Sequence, residues 1–362
     1  MQPQRTSSPP GLADYGLLVL LGLIWGASFT FIKIAVSSVP AVPTTLMRMA
    51  VTVVLMIGLL VWLGQRLPPR GRTWYFVALS AFLGNTLPFL LIAWGEEKVD
   101  SALAAILMAP SPLAAAVLAH FFTADEKLNR HKIAGIVMGV IGIVVLMGVD
   151  TLSRLGANTW HQLAILAAGV CYGANVVVNR GLTGGSAMGN VAAVMFVSMA
   201  LLAPLGLLPG VWTFTPTTAS LTAIVTLAIL STSIGTLIML AIVRRQGAAF
   251  TAQVNFLVPL FGVLIGAVML SERPTARAIA GLALILAGVA LARRGAGMRQ
   301  AAAAAPTAAA NVSIWLSEVP ALIAAAKASC ALATAPWAVV LAVSAASNTA
   351  FAAVFCVSVR LK

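Results

Sequence analysis

In a chain this apolar, the few polar side chains in the middle of hydrophobic runs are the ones equipped to bind something. Ser28 and Thr30 stand close to Trp25, Asn85 interrupts FLGNTLPF, and Tyr172 and Asn175 fall within CYGANVVV. Thr232 and Ser233 sit in a long run without charge, and Asn255 comes four residues before Pro259. An amide both donates and accepts, and an indole or phenol offers a flat wall with one polar handle. Trp25, Ser28, Asn85, Tyr172, Asn175, Ser233 and Asn255 therefore form a candidate binding set for a small polar or zwitterionic solute. The same residue types also serve hydrogen bonding and packing between helices, and composition does not separate the two uses.

A second set suits gating or structure. Lys33 and Arg48 are the charged residues inside the first two apolar runs. They could snorkel to lipid headgroups, or attract a carboxylate-bearing substrate at the outer mouth. Pro88, Pro110, Pro112 and Pro259 are expected to interrupt helical hydrogen bonding and free carbonyls. Glu126 and Glu272 read as interfacial residues that cap or position the next helix, with gating as the alternative. No Asp, Glu or His falls at the centre of an apolar run, so a deeply buried carboxylate relay is not expected. Were such a chain to move a solute across a membrane, it would do so by uniport or exchange, or by proton coupling through less central groups such as Glu96 or Glu97. Interior His, Asp, Glu and Cys do not converge as an enzyme would need. No G-x-x-x-x-G-K-[ST] occurs, and Cys171, Cys330 and Cys356 have no metal-site spacing. No cofactor and no metal are expected.

The elements that must position these residues are membrane spans. Hydrophobic residues make up 60% of the 362, charged residues only 9%, and the mean hydropathy is +1.01; an ordinary soluble domain carries about 25% charged residues. The uncharged stretch from Gly181 to Val243 alone is 63 residues long, far beyond the roughly 20 that one crossing requires. A net charge of +13 might suggest nucleic acid, but the basic residues stand singly or in small groups between apolar runs, which excludes that class. Ten spans follow: Tyr15 to Val36, Val42 to Gly64, Thr73 to Gly95, Ser101 to Ala124, Ile133 to Val149, His161 to Val178, Met188 to Gly210, Ala219 to Val243, Gln246 to Ser271 and Thr275 to Ala292. The fifth and tenth are short and should borrow residues from the loops before them. Helices are expected because a backbone in lipid must satisfy its own hydrogen bonds, and the runs do not alternate as barrel strands do. With the N-terminus inside, cytoplasmic segments hold thirteen Lys and Arg and the opposite side four, so both ends of the core should be cytoplasmic. The polar N-terminal segment precedes a span that lacks a cleavage-site pattern, and is read as retained.

The chain repeats itself. EKLNRHKIAGIVMGVIGIVVLM from Glu126 aligns with ERPTARAIAGLALILAGVALA from Glu272 at an offset of 146, matching Ile133, Ala134, Gly135 and Gly142 to Ile279, Ala280, Gly281 and Gly288. Pro112 and Pro259 correspond at an offset of 147. Five spans per half is an odd number, so the second copy should enter the membrane upside down. The fold class is thus all-α polytopic, two inverted five-helix repeats: residues 1–14 a cytoplasmic segment, 15–149 and 150–294 the repeats, and 295–362 an Ala-rich tail. The Gly and Ala faces of AGIVMGVIG and AGLALILAG are packing surfaces.

Taken together, WGASFTFIK from Trp25 to Lys33, Arg48 early in the second span, the Pro112 and Pro259 runs, and Glu126 and Glu272 each followed nine residues later by glycine resemble the ten-span drug/metabolite transporter superfamily, specifically its EamA-type members. The resemblance covers about residues 15–294 and departs at one extra residue between Pro112 and Glu126. It implies a multi-pass bacterial inner-membrane carrier, not an enzyme. Such a carrier is often an exporter of amino acids or other small metabolites, with a site between the halves. The expected partners are a small-molecule substrate and membrane lipids, as a monomer or a homodimer. Competing readings are an exporter or flippase for lipids or amphiphilic drugs, and a non-transport scaffold; a channel would want a ring of charged or filter residues. The tail lies outside the resemblance and reads as an appendage, an eleventh or peripheral helix, or unrelated sequence.

Overall fold

The computed structural model describes residues 10–123, 128–147 and 158–297, and the helices below are those of its larger unit, Met1–Gly295. They are α1 Leu12–Val36, α2 Ala41–Trp62, α3 Thr73–Glu96, α4 Ser101–Phe122, α5 Arg130–Met147, α6 Thr159–Gly181, α7 Ala187–Leu207, α8 Thr218–Thr251, α9 Val254–Met269 and α10 Ala276–Gly297. Among the described residues, nine helices are long and apolar enough to cross a membrane, and α9 is a shorter apolar one. The protein is an all-α polytopic membrane protein.

Local chemistry explains several of these boundaries. Ser186 and Thr217 cap α7 and α8 by accepting from the backbone N–H groups of Gly189 and Ser220. Gly247, at φ +82°, bends the long α8 where an L-residue would be strained. The expected boundary between the eighth and ninth spans falls at this bend. The fifth span starts at Arg130, three residues before Ile133, as its shortness required. The tenth does not borrow from its preceding loop: it begins at Ala276 and gains its length beyond Ala292, reaching Gly297.

Packing links the two halves helix by helix. α1 lies against α9 and α8, while α6 lies against α4 and α3. α2 meets α8, α7 meets α3, α2 meets α7, and the first part of α4 meets α9. Small residues set these distances. A Cβ on Gly26 of α1 would come 2.9 Å from the Val258 carbonyl oxygen of α9, and one on Gly173 of α6 would come 3.0 Å from that of Ser111 on α4. Lipid gives no hydrophobic drive between helices, so such close backbone approach, with its dispersion contacts, holds the bundle together. Leu23, Val54, Trp62, Phe82 and Val137 remain outside the core with exposed side chains, as lipid-facing residues should.

Candidate functional site

Two of the helices are not regular. Phe82–Thr86 in α3 and Leu227–Ile234 in α8 are wound as π turns. They occupy matching places in the two halves, since the offset of 147 that relates Pro112 to Pro259 carries Phe82 onto Ile229. A π turn widens the helix and displaces carbonyls from the regular ladder, a feature concentrated at functional sites. In α8, side chains occupy the displaced carbonyls: Thr232 Oγ1 donates to the Leu227 oxygen over 3.0 Å and Ser233 Oγ to that of Ala228 over 2.8 Å.

Around the α8 turn the structure gathers residues from three other helices. The Trp25 indole N–H donates to the Ser231 carbonyl over 3.1 Å. Gly235 makes room for the indole, since a Cβ there would come 2.6 Å from its nitrogen. Arg48, buried in α2, donates from Nε to Thr232 Oγ1 over 2.8 Å, and its guanidinium carbon stands 3.9 Å from the ring centroid of Phe89 on α3. That ring faces a cation with its negative quadrupole. Ser28 Oγ donates back to the Trp25 carbonyl over 2.6 Å.

The α3 turn makes the corresponding cluster with α6 and α7. Gly84 lies against the Asn175 amide. Asn85 and Thr86 are buried, and Thr86 Oγ1 donates to the Ser198 carbonyl over 3.4 Å. Ser80 Oγ donates to Asn179 Oδ1 over 2.8 Å. Tyr172 packs against both of the larger apolar clusters. Thr30 Oγ1, Ser231 Oγ and Asn175 Oδ1 are buried without a hydrogen-bond partner, and a buried polar atom normally has one. Together the clusters form a polar layer within the apolar bundle, open in hydrogen-bonding capacity.

A third group sits where α3 ends. Lys33 Nζ donates to the Glu96 and Val99 carbonyls over 2.7 and 2.8 Å. Glu97 Oε1 accepts from the Ala41 N–H over 3.0 Å at the start of α2. Glu272, from the loop before α10, accepts from the Ser101 and Ala102 N–H groups over 2.9 and 2.8 Å and from the Ser101 hydroxyl over 3.0 Å. Carboxylates at helix N-termini meet unsatisfied N–H groups and the positive end of the dipole. Glu96 itself is fully buried, and both its carboxylate oxygens lack partners.

The sequence candidates thus separate. Trp25, Arg48 and Ser233 come together at the α8 turn, with Ser28 one turn beyond Trp25; Asn175 lies against the α3 turn that holds Asn85, and Tyr172 packs against both larger apolar clusters. Asn255 makes a local bond: its Nδ2 donates to the Ala252 carbonyl over 3.0 Å, closing the turn that starts α9. Neither Lys33 nor Arg48 snorkels, because both head groups are bound inside the bundle. Of the prolines, Pro259 alone lies inside a regular helix; Pro110 and Pro112 start a new helical segment within α4, and Pro88 follows the π turn of α3. Glu126 lies outside the described residues, as do residues 298–362 of the tail. Among the described residues no group of three or more His, Cys, Asp or Glu could hold a metal ion.

Sequence reasoning missed Phe89, Ser231 and Asp14. Phe89 is seven residues before Glu96, two helical turns along one face, but nothing marks it among fourteen phenylalanines. Asp14 is buried at the start of α1, where its carboxylate takes Arg245 Nε over 2.6 Å and Gln246 Nε2 over 2.7 Å from the end of α8. A lone acid at the edge of an apolar run was the available signal.

The profile of the EamA-like transporter family matches residues 14–148 and 159–294, the two halves in turn. Among curated proteins, the chain is 25% identical over 259 residues to the "Uncharacterized inner membrane transporter YedA" of Escherichia coli K12, covering 70% of this chain and 81% of that one. It is 29% identical over 270 residues to the "Probable terminal-alkyne amino-acid exporter" of Streptantibioticus cattleyicolor, covering 74% and 89%. Protein PagO of Salmonella typhimurium is also 29% identical, over 157 residues that span 42% of this chain and half of PagO's length. A crystal structure 20% identical in sequence superposes with a TM-score of 0.55, covering 78% of this chain and 98% of that one; it shares the fold.

Proposed function

Because the chain belongs to the EamA-like transporter family, we propose that this secondary transporter carries a small polar metabolite, an amino acid or related compound, by alternating access and in the direction of export. The observation that carries the reading is the polar layer at the two π turns. Buried hydroxyls and an amide without partners stand beside Trp25, Arg48 and Tyr172, where a solute with a few polar groups would complete their hydrogen bonds. Trp25, Ser28, Asn85, Tyr172, Asn175 and Ser233 are its proposed contacts. Asn255 contributes through the start of α9, and Pro88, Pro112, Pro259, Glu126 and Glu272 through gating or helix position. The similarity to the exporter of S. cattleyicolor supports the substrate class and the direction.

The two halves are proposed to be inverted repeats that rock about this layer. Each packing between halves has a partner with the halves exchanged: α1 on α9 and α6 on α4, α2 on α8 and α7 on α3. Exchange of this kind is what a two-fold axis between the repeats produces. The positive-inside count supports a cytoplasmic N-terminus in a bacterial inner membrane.

Counterflow in proteoliposomes preloaded with a pooled amino-acid and metabolite library tests the reading, with Asn85→Ala and Asn175→Ala beside the parent. Exchange of a defined solute that the variants lose is expected. Folded protein that exchanges nothing in the pool, or moves labelled lipid instead, overturns it.

A further inference from the structure

Arg48 poses a physical problem that the bundle does not solve with its own residues. It lies about 10 Å along α2 from Ala41, seven residues at ~1.5 Å each, and its side chain is only 7% exposed. A guanidinium stays charged at any physiological pH. Burying it without a counter-ion is costly; the Phe89 ring offsets only part of that cost, and the Thr232 hydroxyl carries no charge to neutralise it.

None of the described carboxylates is bonded to the guanidinium. Asp14 pairs with Arg245, Glu97 accepts from the start of α2, and Glu272 accepts from the start of α4. Asp100 is exposed. Glu96 is close enough to feel the charge of Arg48, Lys33 and Glu272, yet neither of its oxygens is bonded to any of them. Nε of Arg48 is held by Thr232, and Nη1 and Nη2 donate to no group of the described residues.

We infer that Arg48 is the anchor for a carboxylate on the transported solute, with Nη1 and Nη2 forming the two-pronged bond and Thr232 fixing the plane of the fork. The inference rests on the carrier reading above and narrows its substrate class to monocarboxylates. One cation favours a singly charged group over a phosphate dianion, because the half-buried Lys33 is spent on two backbone carbonyls. The planar fork matches two carboxylate oxygens, which an ammonium would not. Ser231 Oγ, buried and unpartnered next to Thr232, offers the bound carboxylate a further donor.

The test is counterflow with the full chain in proteoliposomes, using pooled neutral amino acids against their carboxamides and their decarboxylated amines. The acids are expected to exchange about ten- to hundredfold faster than either analogue, the factor that a charge-assisted bond contributes. Arg48→Gln should lose that preference, and Arg48→Lys, which keeps the charge but not the fork, should raise KM for the acid. Wild-type protein that exchanges amides or amines as fast as acids overturns the inference while leaving the carrier reading intact. So does a folded Arg48→Gln protein with unchanged acid exchange. Where Arg48→Gln does not fold, the wild-type comparison decides alone. If no solute of any kind exchanges, the carrier reading fails and this inference falls with it.

Discussion

Gly142 of α5 and Gly281 of α10 press against each other's backbone: a Cβ on either would come 2.9 Å from the carbonyl oxygen of the other. Gly135 and Gly288 meet in the same reciprocal way one heptad along. In the repeat alignment Gly135 corresponds to Gly281 and Gly142 to Gly288, so each glycine touches the counterpart of its neighbour seven residues away. Replacing either with a bulky side chain must push two backbones apart. Gly142→Leu or Gly281→Leu should destabilise the detergent-solubilised protein by about 1–3 kcal/mol, read as a lower melting temperature. Gly58→Leu on the exposed face of α2, where nothing stands within 4 Å of a Cβ, should not.

This contact also shows how far the sequence could be read. Spacing placed the small-residue faces of AGIVMGVIG and AGLALILAG and marked them for packing, since helical period and glycine content are local properties. It could not say that the faces pack on each other, because partner choice is decided by all ten helices together. The polar candidates divide along the same line. Asn85, Asn175, Trp25 and Ser233 were visible as polar groups in apolar runs. The π turns that bring them together were not, because no composition distinguishes a π turn from an α turn. Asn255 looked equivalent to the other two asparagines in sequence, and its bond to the Ala252 carbonyl at the start of α9 was not legible there.

Glu272 holds the first turn of α4 from across the bundle, through backbone N–H groups and the Ser101 hydroxyl. Glu272→Gln removes the charge and leaves a single carbonyl oxygen to accept. Charged acceptors at a helix start contribute about 1.5–3 kcal/mol, so this variant should loosen that end. In a protein without its native cysteines, the fully buried Ile106 of α4, changed to Cys, should label faster with a membrane-impermeant thiol reagent when Glu272→Gln is added. Equal labelling rates would show that the contact does not hold α4 shut.

Glu96 and Glu97 were interchangeable as coupling candidates in sequence, and they differ in structure. Glu97 is committed to the N–H of Ala41. Glu96 is buried with two unbonded oxygens, surrounded by Lys33 of α1, Arg48 of α2 and Glu272 of the loop before α10. If exchange responds to a proton gradient, the response should run through Glu96. Glu96→Gln should leave solute counterflow in place and abolish its dependence on an imposed pH difference. Glu97→Gln should keep that dependence, because its amide oxygen can still accept from Ala41, and should lower thermal stability by about 0.3–1 kcal/mol through the lost charge at the start of α2. Gradient dependence that survives Glu96→Gln would remove Glu96 from the coupling path.

Gly84 tests whether the α3 π turn and α6 are fitted to each other. In an open helix Gly→Ala stabilises by roughly 1 kcal/mol through backbone entropy. At position 84 the added methyl would strike the amide of Asn175, whose Oδ1 is one of the unpartnered atoms of the polar layer. Gly84→Ala should therefore displace that amide and reduce solute exchange severalfold. Asn175→Ala should reduce exchange as well, by removing the amide outright. The pair is coupled if, once Asn175 is alanine, Gly84→Ala costs nothing further and regains its helix-forming advantage in melting temperature. A double-mutant cycle read in both exchange rate and melting temperature isolates that term. Additive losses would mean that the methyl acts on the π turn itself, independently of Asn175.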